Sequence, residues 1–460
     1  MKFCPECGVQ LVSQKFCHEC GANISKYLGG EPVSNNTQND SFNFGSLQVD
    51  AQKEYYKEVG FEVENGVLVK YTGKSRTVVI PRGITEIYNE AFKGNDIISS
   101  VVVGEDVRII GKAAFMHCFH LKEVTLPDSV EEIYEDAFLA CYELEKINIP
   151  KKLEIIRSRA FCECRSIKRI NIPQSVKKIE YMAFESVKPS RIDIESLESW
   201  LNIDFHLSSY LKGQLYLNGK LLTEVTIPNS VNVIKTGAFY GCNSLEKVII
   251  GNHVTSIGVH AFCYCESLKS VVLPENLQII SQCACAGCKN LQTINIPNKV
   301  TTICDGAFGS CESLQSITLP SSVQTLGKSV FYCCKNLKNV NLPTGIGEIR
   351  EDCFFNCESL ENIIIPGSVK RIYTNAFASC KNLKNVTFNE GLESIFDNSF
   401  LGCFSLEHIT LPKSIKGIGL YAFISSLKSV KLPVEFGEGK RRAENSMYQR
   451  FASHVKLIEY

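Results

Sequence analysis

A repeat solenoid is the fold class the sequence predicts, and three periodic observations carry the expectation. Phenylalanine returns every 23 residues at Phe92, Phe115, Phe138, Phe161 and Phe184. It returns again at Phe239, Phe262, Phe308, Phe331, Phe354, Phe377, Phe400 and Phe423, with Cys285 filling one beat. An aliphatic residue stands five places before each of these, from Ile87 and Ile110 through to Ile395 and Ile418. A proline beat keeps the same period at Pro127, Pro150 and Pro173, then at Pro274, Pro297, Pro320, Pro343 and Pro366. A fixed period of this size marks stacked units, each burying a face against its neighbours. Such a stack presents an extended surface rather than a pocket, so binding is expected before catalysis.

Bulk composition narrows the classes. Lys plus Arg and Asp plus Glu number 49 each in 460 residues, so no global field favours nucleic acid or anionic membrane. No apolar run approaches the roughly 18 residues of a membrane span. The chain opens Met1-Lys2-Phe3-Cys4-Pro5, without the basic and apolar start of an export signal. With 22 cysteines, a reducing cytoplasm is the expected setting, the alternative being the cell surface reached by an unconventional route.

Taken in order, residues 1–26 read as a zinc ribbon. Cys4-Pro5-Glu6-Cys7-Gly8 and Cys17-His18-Glu19-Cys20-Gly21 are two Cys-x-x-Cys-Gly knuckles separated by nine residues. Two such pairs complete a tetrahedral four-sulfur set for one structural Zn2+, with Cys4, Cys7, Cys17 and Cys20 as ligands. A segment this short has little core of its own, so metal binding is expected to supply its folding free energy. His18 reads as a spacer within its knuckle. Residues 27–50 are polar and poor in branched apolar side chains, a flexible linker. Residues 51–77 are read as an N-terminal cap, with a short helix around Ala51–Val59. A hairpin then turns at Asn65-Gly66, which hides the apolar end of the first coil.

One coil shows the grammar of residues 78–433. Leu291-Gln292-Thr293-Ile294-Asn295-Ile296-Pro297 alternates apolar and polar positions as a short strand, which Pro297 ends for want of a ladder donor. Val300 and Ile303 turn inward, and Asp305-Gly306-Ala307-Phe308 is expected to form a helical or 3₁₀ turn that drives Phe308 into the core. About 14 coils of this kind are expected. The pattern Leu-x-x-Ile-x-Ile-Pro-x-x-Val-x-x-Ile-x-x-x-Ala-Phe-x-x-Cys resembles the BspA-type leucine-rich repeat over nearly everything after residue 78. That resemblance implies a curved right-handed solenoid with a parallel sheet, and a function in protein–protein contact or adhesion. The ribbon likewise resembles the short zinc ribbons found at the head of bacterial proteins.

Exceptions to the period carry the functional expectations. A cysteine follows most column phenylalanines by three residues, as at Cys118, Cys141, Cys288, Cys311 and Cys403. This column reads as small buried filling, with a redox or metal ladder as the alternative. Between Phe184 and Phe239 the spacing is 55 residues, one period of 23 plus 32. The insert, 187–221, holds Trp200, Phe205, Tyr210 and Tyr216, aromatic candidates for contact with a protein partner. Residues 434–460 read as a C-terminal cap or tail, with Tyr448, Phe451, Val455 and Ile458 at helical spacing. No phosphate loop, nucleophile elbow or dinucleotide fingerprint occurs. A non-catalytic interaction scaffold binding a protein partner is therefore expected, the alternative being an exported surface adhesin binding host or matrix protein. Neither a small-molecule substrate nor nucleic acid is expected.

Overall fold

The computed structural model describes residues 53–54, 56–424, 427–433, 451 and 455–460. The four knuckle cysteines Cys4, Cys7, Cys17 and Cys20 lie outside the described residues, as does the linker. Contacts divide the chain into two units, one of residues 1–199 and 203–219, the other of 200–202 and 220–460.

Each coil contributes two short strands. In one coil these are Thr293–Asn295 and Thr302–Ile303, and each pairs in parallel and in register with its counterpart one coil earlier. The register follows from the period, since a strand residue meets the residue 23 places on, as Ser270 meets Thr293. The column phenylalanines are fully buried and stack face to face. In the first unit Phe115 and Phe138 lie 5.1 Å apart with rings 2° from parallel. In the second, Phe354 and Phe377 show the same 5.1 Å and 2°. Each ring so placed adds to burial an aromatic contact of about 0.5–1.5 kcal/mol.

The expected short helical turn around each phenylalanine is instead a chain of β-turns. Residues two before and two after the ring take positive φ, as Ala113 (54°) and His117 (61°) do around Phe115. Positive φ at the third turn position interrupts a helix and suits type II turns. Alternate N–H groups then take different partners. Ala114 and Cys118 donate to the carbonyls three residues back, of Gly111 and Phe115. Ala113, Phe115 and His117 donate to Glu135, Ala137 and Leu139 in the next coil. The turn side of the solenoid is thereby as fully bonded between coils as the strand side.

Two further segments join the repeat. Phe61–Glu64 and Val67–Tyr71 form an antiparallel hairpin across Asn65 (φ 51°) and Gly66 (φ 79°). Its second strand pairs in parallel with Glu86–Ile87, and Tyr71 stacks on Phe92 at 5.0 Å. In the second unit Phe451 stacks on Phe423 at 5.7 Å, and Lys456–Glu459 pairs with Ser429–Leu432. The helical spacing read in the tail therefore gives way to one more ring and one more strand at 456–459.

The insert supplies a coil of its own, so the stack exceeds the count of column positions. Arg191–Ile194 pairs with Arg169–Ile172 on one side and Gln214–Leu217 on the other, the latter at the usual spacing of 23. Asp204–Phe205 pairs with Lys178–Ile179, placing Phe205 where other coils carry isoleucine. A short helix, Leu197–Leu201, lies between Arg191–Ile194 and Asp204–Phe205.

Candidate interaction surface

Two outward side chains per coil flank each buried strand residue, as Thr293 and Asn295 flank Ile294. In-register pairing repeats those positions on every neighbouring coil, about 4.8 Å away. The result is a continuous exposed face, and its chemistry differs between the units.

In the second unit, the outward positions on the longer strand of each coil, from Ser270 to Thr410, carry no Asp, Glu, Lys or Arg. They hold Ser, Thr and Asn, with Val272, Ile364 and His408. Asparagine side chains tie coils together here: Asn385 Nδ2 donates to Asn362 Oδ1 at 2.7 Å. Asn341 pairs through both of its amide atoms with the backbone of Leu319. Towards one end, Asn385, Thr387, Glu390, His408, Thr410 and Tyr460 border an open groove of about 630 Å³.

In the first unit, three cations occupy the equivalent position on successive coils: Lys146, Arg169 and Arg191. Asp193 sits among them with its side chain only 11% exposed. Its carboxylate accepts from Arg169 Nε at 2.7 Å and from Arg191 Nη2 at 2.6 Å. The Arg191 guanidinium lies 4.0 Å above the Tyr216 ring. Burial acts to raise the Asp193 carboxyl, but the hydrogen bonds from Arg191 and Arg169 prevail and hold it below the usual carboxylate range. Its hydrogen bonding in turn raises the Arg191 guanidinium. Lys146 lies 3.7 Å from Glu123, with its side chain 71% exposed.

The four aromatic candidates separate on this geometry. Trp200 and Phe205 are each only 4% exposed, which does not fit a role as surface anchors. Trp200 donates through Nε1 to the Ala238 carbonyl at 2.7 Å, while Phe205 fills the isoleucine column. Tyr210 and Tyr216 are half-buried, and Tyr216 is the one that reaches the strand face. Sequence reasoning missed Arg169, Arg191 and Asp193. The available signal was an unusual pair of arginines at one strand position in adjacent coils.

The cysteine column proves to be a set of buried donors. Cys334 Sγ donates to the Phe308 carbonyl at 3.1 Å, and Cys357 to that of Phe331 at 3.2 Å. The same bond recurs at Cys118, Cys141, Cys164, Cys265, Cys288, Cys311, Cys380 and Cys403. Each thiol thus gives a second donor to a carbonyl of the preceding coil, as Phe308 and Phe331 already accept from the N–H of Cys311 and Cys334, a task beyond simple apolar filling. All 18 cysteines among the described residues are free thiols, and burial raises Cys265, Cys311 and Cys357 well above the ordinary thiol value. Such thiols are poor nucleophiles. Among the described residues no group of three or more His, Cys, Asp or Glu side chains is placed to hold a metal ion. No described helix is long and apolar enough to cross a membrane.

A family model described as the BspA type leucine rich repeat region matches the chain in six copies, over residues 69–191, 208–315 and 301–430. Among solved structures, a leucine-rich repeat protein from Bacteroides ovatus is 26% identical, with 87% of this chain and 97% of that one covered and a TM-score of 0.48. A leucine-rich cell surface protein from Faecalibacterium prausnitzii is 24% identical, with 70% and 83% covered and a TM-score of 0.38. A leucine-rich repeat protein from Eubacterium ventriosum is 21% identical, with 79% and 90% covered and a TM-score of 0.41. No curated protein sequence matches the chain.

Proposed function

We propose that this chain, which belongs to the BspA-type leucine-rich repeat family, is a non-catalytic scaffold that binds a protein partner along its exposed strand face. The observation that carries the reading is that face itself. In-register coils repeat exposed side chains at fixed spacing, on a backbone whose own hydrogen bonds are already satisfied. Partner residues laid across it meet a rigid surface, which limits the ordering cost of binding. The test is photo-crosslinking from the strand face, at Thr318 and Asn171, compared with the opposite turn side at Lys381. A partner crosslinked from the turn side alone would refute the strand-face assignment.

A zinc-loaded N-terminal module completes the proposal. Cys4, Cys7, Cys17 and Cys20 form a four-sulfur donor set with no open position, which suits a structural ion. About one zinc per chain is expected by elemental analysis, and Cys4→Ser should lower it. Unchanged zinc in that variant would remove the assignment. We further propose a thiol-reducing setting, because each column S–H in use as a donor would be lost on oxidation. Cell fractionation with thiol counting separates this from the exported adhesin, for which surface protein with oxidised cysteines is the expected result.

A further inference from the structure

We propose that Arg169 and Arg191, held by Asp193 above Tyr216, form a receptor for one carboxylate side chain, aspartate or glutamate, of the protein partner. The inference rests on the interaction-scaffold reading and names the chemistry that one part of the surface recognises.

The site is built rather than incidental. Asp193, nearly buried, fixes both guanidinium groups from below. Arg191 spends Nε and Nη2 on that carboxylate and lies 4.0 Å over the Tyr216 ring. Arg169 spends Nε alone. Its terminal amino groups have no partner among the described residues, and its side chain is 67% exposed. The free edge of a guanidinium matches the two oxygens of a carboxylate in one plane. Because Asp193 already sets the direction of that edge, less side-chain freedom is lost when an anion arrives.

Charge balance selects the anion. Two guanidinium groups against one carboxylate leave a single net positive charge, which one further carboxylate neutralises. A phosphoryl dianion would need a third cation, and the neighbouring Lys146 lies beside Glu123. On the longer strand of each coil, the outward positions of the second unit from Ser270 to Thr410 carry no Asp, Glu, Lys or Arg, so no such arginine pair recurs along those strands.

Fluorescence anisotropy of the full chain with a labelled octaglutamate peptide at low ionic strength tests the proposal. Octaglutamate is expected to bind and octaglutamine not to. Arg169→Gln should weaken binding by about tenfold or more, whereas Arg169→Lys, which keeps charge but loses the fork, should lose less. Lys338→Gln, on an exposed lysine of the second unit, should leave it unchanged. Asp193 keeps Arg191 as partner in the Arg169 variants, and matching melting curves would confirm their fold. Equal binding of octaglutamate by Arg169→Gln, no binding by wild type, or tighter binding of a phosphoserine octamer would each overturn the proposal. The two readings fail separately. If strand-face crosslinking yields the same partner equally with wild type and Arg169→Gln, the scaffold stands and the receptor falls, whereas crosslinking from the turn side alone removes the strand-face scaffold.

Discussion

At the residue scale, the repeat is held by side chains that complete the backbone of the neighbouring coil. The cysteine column is the plainest case, and it makes stability sensitive to alkali. Burial, the largest effect, pushes Cys334 and Cys380 up to about 12. In the unfolded chain a thiol ionises near 8.5. Between those values the unfolded state has lost protons the folded state retains, so the stabilisation present below about 8.5 is lost as pH rises. Each such thiol should remove ~1.4 kcal/mol per pH unit in that window. The urea midpoint is expected to fall from pH 8 to pH 10, and less steeply in the double variant Cys334→Ala, Cys380→Ala. An unchanged midpoint would contradict the account. At neutral pH Cys357→Ala should cost about 1–3 kcal/mol, from the lost S–H bond and the void it leaves. Glycine acts the same way at one position. A Cβ on Gly327 would lie 2.4 Å from both the backbone N and Oδ1 of Asp305, and Asp305 Oδ1 accepts from Lys328 N. Gly327→Ala is therefore expected to destabilise by about 1–3 kcal/mol in chemical denaturation, and removing the Asp305 side chain should not rescue it.

At the element scale, the insert was legible as an interruption but not as a coil. One of its strand pairings keeps the 23-residue spacing, Arg191 to Gln214, but the other, Lys178 to Asp204, spans 26, Phe205 stands in an isoleucine column and no column phenylalanine follows it. Period-based reading depends on residue identity, whereas the ladder needs only backbone in register. Aromatic content suggested partner contact for Trp200 and Phe205. Tertiary burial claimed both, because large rings gain most where water is excluded. Trp200→Phe should keep most of the packing and lose the bond to the Ala238 carbonyl, costing about 1–2 kcal/mol, while Trp200→Ala should cost about 3–5 kcal/mol. Equal denaturation midpoints for the two variants would show that the indole N–H contributes most of the effect. The expected helical turn failed for a related reason. Gly237, Gly241, Gly306, Asn375 and Asn398 signal positive φ at some of these flanking positions, but Ala113, Arg159, Met182 and Tyr421 give no local sign of it, and inter-coil bonding imposes it, as at Ala113 and Arg159.

At the scale of the whole molecule, each unit shows how one end of its own stack is covered. In the first unit the hairpin Phe61–Tyr71 lies on the Glu86–Ile87 strand and places Tyr71 on Phe92. Deleting residues 1–72 should bare that strand edge and the Phe92 ring, so association by light scattering and a lower melting temperature are expected. A monomer of unchanged stability would show the hairpin to be dispensable. The solenoid class, the repeating core of phenylalanine and isoleucine and the hairpin turn at Asn65-Gly66 were all readable from spacing. A period of 23 with fixed apolar positions admits few other arrangements that bury every beat. Only the tertiary structure decided the rest: which aromatics are buried, which carbonyls the thiols serve, and that Arg169 and Arg191 converge on Asp193. Those outcomes depend on neighbours one coil away, and distance between coils is set by the ladder rather than by any local preference in the chain.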